Sequence, residues 1–185
     1  MAGLNIFAVS TAPYVCAQVL DDRRLVKMVL ETAQILSMAA TSGTLPIMQP
    51  ELIYKSTHLN HPVVRWACNS QPRALWTRQL LLCLSDEYTH RFGKTHQSCV
   101  VFDAVWDGDG MLWPVPTEAD FPNCSNVSGY STFECYRRRL TQKWIADTDA
   151  GRTPTWRRRG PPEWLERYLW SDAREPILTL ADEAA

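Results

Sequence analysis

Between Asp21 and Ala40 the chain carries Arg24, Lys27, Glu31 and Gln34 at spacings of three and four, and a helix would place all of them on one face. Leu25, Val26, Met28, Val29, Leu30, Ile35 and Leu36 fill most of the remaining circumference, so such a helix is expected to be largely buried. Burying a lysine and a glutamate is costly unless they pair or face a wet cavity. Lys27 and Glu31 stand at i and i+4 and can pair. Two readings follow. In one the stripe lines a pocket, where Glu31 stabilises positive charge or activates water and Lys27 serves as a nucleophile. In the other it is a solvated face with a surface ion pair.

Two further groups of polar residues fit the first reading. His58, Asn60 and His61 fall just before Pro62, and a histidine in such a loop can act as general acid or base or as a neutral donor to a substrate oxygen. Glu87, His90, Arg91 and Lys94 recur at helical spacing, with His96 just beyond; alone, they would make a solvated C-terminal turn whose cations complement the helix dipole. Zinc sites more often use Cys or a helical His pair at i and i+4, and neither pattern occurs, so no metal or other cofactor is expected. From Arg137 to Gly160, seven Arg and one Lys face only Asp147 and Asp149. In that stretch Arg137, Arg138, Arg139, Arg157, Arg158 and Arg159 alternate with Trp144 and Trp156, a composition suited to phosphates and exposed bases. The alternative is a basic surface with the tryptophans as core anchors.

These residues need helices and loops to hold them. Asp21 or Asp22 opens a helix that Thr41-Ser42-Gly43 ends, Pro62 opens a short one through Ala67, and Ser70 and Pro72 open a long one stopped by Gly93. A further helix is expected from Thr95 to Val105, and Ser131 with Glu134 makes a capping box for another through Trp144. Glu51–Lys55 reads as a helical turn or two, and Pro162–Trp170 as a last short helix. Leu4–Val9 reads as a strand or a buried arm. Asp107 to Asn126 is a long connection. The expectation is an all-α fold, a compact helical bundle with long loops and an Arg/Trp-rich C-terminal segment. It is read as one domain over 1–185, with a core of about 1–146 and a basic extension over 147–185.

At 185 residues, 45% hydrophobic and with eight Trp, the composition is globular, not disordered. No run of eighteen apolar residues and no signal-peptide pattern occurs, which gives the expectation of a soluble, cytoplasmic chain with no membrane partner. The six cysteines lack a Cys-x-x-Cys pair and are read as reduced and buried. Trp-rich short helices could also build a dimer interface, so the oligomeric state stays open.

Asn5-Ile6-Phe7, Asp22-Arg23-Arg24-Leu25-Val26-Lys27-Met28, Glu31-Thr32-Ala33-Gln34, Thr57-His58 with Asn60-His61-Pro62 and Trp66, and Glu87-Tyr88 with Arg91-Phe92-Gly93-Lys94 and His96 together resemble a group of small tailed-phage proteins. The resemblance covers roughly residues 5–98, with a weaker echo at Pro162-Glu163-Trp164. Over about thirty N-terminal residues the chain also resembles the pyrimidine-dimer DNA glycosylases of the endonuclease V type. That resemblance implies a small all-helical enzyme whose N-terminal amine attacks the sugar, aided by a glutamate in an Arg-Glu pair. Here the matching pair is Arg23-Arg24, which lacks the carboxylate, and Glu31 is the nearest substitute. Removal of Met1 would expose the amine of Ala2, with Gly3 and Leu4 lengthening the arm relative to the phage group.

The resulting expectation is a phage DNA enzyme acting on a pyrimidine base or its glycosidic bond, with DNA as partner. Lys27, Glu31, His58, His61 and Glu87 form its catalytic set. Arg23, Arg24, Gln34, Asn60, Trp66, His90, Arg91, Lys94 and His96 hold substrate, the tail arginines hold phosphates, and Trp66 or Trp76 lines a pocket for a flipped base. The alternatives are a transferase that hypermodifies thymine or cytosine and a non-enzymatic protein that binds DNA or a host defence component.

Overall fold

A computed structural model describes residues 4–55, 58–105 and 114–170. The chain runs through α1 (Pro13–Gln18), α2 (Asp22–Thr41), α3 (Pro62–Cys68), α4 (Gln71–Phe92), α5 (Val100–Ala104), α6 (Thr132–Asp149) and α7 (Leu165–Trp170). Among the described residues the only β pairing is an isolated bridge between Ile47 and Val105. The fold is all-α. No described helix is long and apolar enough to cross a membrane.

The centre of the fold is the α2–α4 pair, flanked by α1 and α3. Leu25, Val29, Ile35 and Leu36 of α2 and Leu80, Leu81 and Leu84 of α4 are at most 1% exposed. Each such side chain contributes about 1.5–3 kcal/mol by leaving water. Ala33, Ala39 and Ala40 add small buried side chains to α2. Gly93 stops α4 in the left-handed conformation at φ 67°, where a Cβ would be strained. Leu4–Val9 is a buried arm, not a strand.

The helix expected from Thr95 to Val105 is broken. His96 Nδ1 accepts from the Ser98 N–H at 3.1 Å and starts a 3₁₀ turn over Gln97–Cys99, and the buried Ser98 hydroxyl pairs with Tyr54 at 2.9 Å. That local cap competes with the continuous helix, and α5 begins only at Val100. Glu51 and Leu52 fall in a 3₁₀ turn, Pro50–Leu52. Asp107–Gly110, Thr57 and the N-terminal amine lie outside the described residues.

After α6 the chain turns back over the start of α2 and the end of α4, held by a buried ionic knot. Asp22 accepts from the Thr155 hydroxyl at 2.8 Å, the Arg157 N–H at 3.0 Å and Arg91 Nη1 at 3.2 Å. Arg91 also donates to the Leu20 and Gln18 carbonyls and, through Nε, to Glu87 at 2.6 Å. Arg159 reaches the same Glu87 oxygen at 2.5 Å. Trp156 and Trp164 pack against the Trp144 ring, and the Trp144 indole donates to Asp21. Burial pushes the Glu87 carboxyl upward, but Arg159 and Arg91 outweigh it and hold it below the usual carboxylate range.

A depressed carboxylate adds stability that is present above its unfolded value, about pH 4.3, and lost as pH falls through its folded one. Glu87 is 4% exposed. Glu87→Gln is expected to cost about 3 kcal/mol at pH 7, by stranding buried arginine charge, and to remove this part of the acid sensitivity below about pH 4.3. Urea melts of both proteins at pH 7, 5 and 3.5 check it; equal midpoints at pH 7 would count against the knot.

Candidate active site

The polar stripe of α2 opens onto a cavity of about 420 Å³. Its walls are Leu4, Asn5 and Phe7 of the arm, Lys27 and Glu31 of α2, His61 and Pro62 at the start of α3, the loop 123–126, and Arg139 and Lys143 of α6. A smaller cavity of about 180 Å³ shares Phe7, Lys27 and Lys143 with it and adds Arg23, Arg24, Met28 and Asp147. The larger volume falls in the range of small-molecule sites.

Glu31 is 7% exposed and is fixed from two directions. Lys27 Nζ sits 2.9 Å from Oε1, and the Asn5 backbone N–H donates to Oε2 at 3.3 Å. The arm can reach it because Asn5 Oδ1 accepts from the N–H groups of Ile6 and Phe7, both at 2.8 Å, which turns the chain at Phe7 into positive φ (40°). That conformation costs on the order of 1–3 kcal/mol for a bulky residue, and the buried Phe7 ring, edge-on to Tyr136, helps hold it. Asn5 Nδ2 donates to the Cys124 carbonyl at 3.4 Å, joining the arm to the 123–126 loop.

His61 Nδ1 accepts from the Val63 N–H at 3.3 Å as the cap of α3, so in the neutral ring Nε2 carries the proton. Burial, followed by the nearby His58, lowers its pKa below the ordinary histidine value, and Glu31 opposes them. On α6, Arg139 and Lys143 are one turn apart and both half-buried. Burial and then the cations Arg139, Arg24 and Lys27 push the Lys143 ammonium below its ordinary value, with Asp147 acting the other way.

Of the residues singled out in the sequence, Lys27, Glu31, His61 and Arg139 converge on the larger cavity, and Arg23 and Arg24 on the smaller one. Arg24 also bridges Asp21 and Asp147, both at 2.9 Å. His58 and Asn60 are exposed and Gln34 is half-buried, and these three line neither cavity. Glu87 and Arg91 belong to the ionic knot, His96 caps its turn, and His90 and Lys94 are exposed at the end of α4. Trp66 and Trp76 do not line the cavity; they are buried against Phe121 in an aromatic cluster because each indole N–H finds a carbonyl there, of Asp120 and Thr11. Arg137 donates to the Val9 carbonyl, Arg138 pairs with Glu134 beneath Tyr130, and Arg157, Arg158 and Arg159 pin the returning tail. Lys143 and the 123–126 loop were not anticipated as site residues; the signals were the i, i+4 spacing from Arg139 and the polar run Asn123-Cys124-Ser125-Asn126. Among the described residues no three His, Cys, Asp or Glu side chains cluster as a metal site.

The family described as pyrimidine dimer DNA glycosylase matches residues 4–100. The chain belongs to that family. Membership makes DNA the substrate class and gives the chain a function like that of a pyrimidine dimer DNA glycosylase. Neither curated proteins nor solved structures give a match. The glycosylase-matched span supplies the arm, Lys27, Glu31 and His61, while the 123–126 loop, Arg139 and Lys143 come from beyond it.

The opposed influences on His61 give a signed expectation. Its NMR titration midpoint should lie below 6.5, rise in His58→Ala and fall further in Glu31→Gln. A midpoint unmoved by Glu31→Gln would separate the histidine from the carboxylate.

Proposed function

We propose that this protein excises a pyrimidine base from DNA by cleaving its N-glycosidic bond, with the nucleotide turned out of the duplex into the 420 Å³ cavity. The observation that carries the reading is Glu31: a nearly buried carboxylate, oriented by Lys27 and the arm, in a cavity whose other charged walls are the cations Lys27, Arg139 and Lys143. As the bond to the base lengthens, positive charge grows on the deoxyribose C1′ and O4′. A fixed carboxylate in a partly dehydrated site stabilises that charge more than water does. Negative charge grows on the departing pyrimidine, and the His61 Nε2–H is the donor for a ring carbonyl. Arg139 and the exposed Arg23 supply the phosphate contacts, Arg24 being held by Asp21 and Asp147. The setting we propose is phage DNA repair or modification, on the strength of the Asp22–Met28 and Asn60–Pro62 motifs.

The test uses duplexes carrying a thymine dimer, uracil or a 5-substituted pyrimidine, with released base and residual nucleosides measured by mass spectrometry. On the duplex that is turned over, Glu31→Gln should lower base release by about two to four orders of magnitude while the helical circular dichroism is retained. Base release that survives Glu31→Gln sinks the assignment. A heavier nucleoside in place of an abasic site would replace excision with group transfer to the base.

A further inference from the structure

The two cavities adjoin along Phe7, Lys27 and Lys143, so the larger space has a side chamber of about 180 Å³, the liquid volume of on the order of six waters. Most of the charge on that chamber is already matched. Asp147 is shared by Arg23, Arg24 and Arg152, and Lys27 is held by Glu31 at 2.9 Å. Lys143 is the exception. It is half-buried on the wall common to both spaces, and its amine has no ion pair or hydrogen bond among the described residues. The charged groups around it are Arg139 and Asp147 of α6 and Arg24 and Lys27 of α2, with Glu31 across the larger cavity. An ammonium drawn out of water among other cations costs free energy until an anion reaches it. The acids of the protein are engaged elsewhere, so the anion has to arrive with the ligand.

We propose that Lys143 selects a pyrimidine bearing an acidic group at ring carbon C5, a carboxylate or a phosphate ester, with the ring in the larger cavity and the acidic group in the side chamber against the Lys143 ammonium. The proposal rests on the excision reading for the way the base enters. An unsubstituted pyrimidine is neutral at neutral pH and brings no partner for a cation. The phosphates of a turned-out nucleotide stay with the strand at the cavity mouth, within reach of Arg23 and Arg139, while the base goes in. C5 is where thymine carries its methyl group in the major groove, clear of the pairing edge, so an acidic group at C5 leaves the base able to pair until it is turned out. A carboxylate or phosphate there accepts charge-assisted hydrogen bonds from the ammonium and removes the cost of its isolation. The lowered pKa of the Lys143 ammonium, whose causes are burial and then the neighbouring cations, agrees with a charge awaiting its partner. Lys143 lies outside the family-matched span 4–100, so this selectivity belongs to the part of the chain that closes the cavity from beyond it.

The experiment titrates the full-length protein, by fluorescence anisotropy, with duplexes carrying 5-carboxyuracil or 5-carbamoyluracil, its neutral amide of the same size. The carboxylate duplex is expected to bind about tenfold or more tightly. Lys143→Met should bring that ratio close to one by weakening the carboxylate duplex alone, and Lys143→Arg, which keeps the charge, should preserve most of it. Equal affinity of the unsubstituted protein for the two duplexes overturns the proposal, and that comparison does not depend on how well a variant folds. A preference that survives Lys143→Met overturns it as well. Two further duplexes of the same sequences, with a neutral methylphosphonate beside the target, identify a backbone contact. If Lys143→Met weakens the carboxylate and amide duplexes alike, and the methylphosphonate abolishes that loss, the lysine serves a phosphate and the proposal fails. Base release measured beside the titrations decides the excision reading separately. A carboxylate preference without released base keeps the selectivity and removes excision, whereas released base without the preference does the reverse.

Discussion

A helix that gives most of its circumference to the core has no room for stray charge, and this constraint on α2 shapes the rest of the molecule. Leu25, Val29, Ile35 and Leu36 enter the interior, while Arg23, Lys27 and, contrary to the sequence reading, the apolar Val26 and Leu30 face out, with Arg24 half-buried and Glu31 buried beside them. Leaving a carboxylate there without partners would cost several kcal/mol, on the order of a large part of a domain's net stability. The chain meets the constraint by bringing an ammonium, a backbone N–H and a water-accessible cavity to Glu31. The arm, the loop at 123–126 and α6 then serve as the walls of a space that α2 requires.

Arginine has two separate uses in this protein. Charge counting along the sequence treats Arg137 to Arg159 as one basic patch, yet the structure divides it. Arg137, Arg138 and Arg159 are spent on a carbonyl and on carboxylates of the protein itself. Arg139 alone of the six tail arginines considered faces the larger cavity, and Arg23 and Arg24 face the smaller one. A guanidinium already sharing a buried carboxylate is less available to a phosphate, so local excess of positive charge overstates the surface offered to DNA.

How far the sequence could be read follows from the range of each signal. The bounds of α2 and α4 and the start of α6 are visible because periodicity, proline, glycine and capping serine act over a few residues. The break after His96 was hidden, since it depends on a ring nitrogen capping a backbone N–H and on Tyr54 reaching Ser98 from 44 positions away. Within the site, Lys27, Glu31 and His61 stood out as polar groups in apolar or turn surroundings. Lys143 did not, because its meaning comes from the arginine and lysine that α2 places opposite it. Glu87 and Arg91 carried the same helical spacing as a site stripe, and spacing does not distinguish a cavity wall from a buried ion pair.

The knot at Asp22 and Glu87 bears on how the chain is made. Both carboxylates lie in the first half of the sequence, while Thr155, Arg157 and Arg159 come near its end. During synthesis, then, α2 and α4 emerge from the ribosome with two acidic groups positioned for burial and part of their counter-charge still unmade. Arg91 alone must bridge them until the last segment arrives. The span that carries the family signature is in this sense not a self-sufficient folding unit. Its helices can associate early, but their closure waits on residues translated well after Glu31.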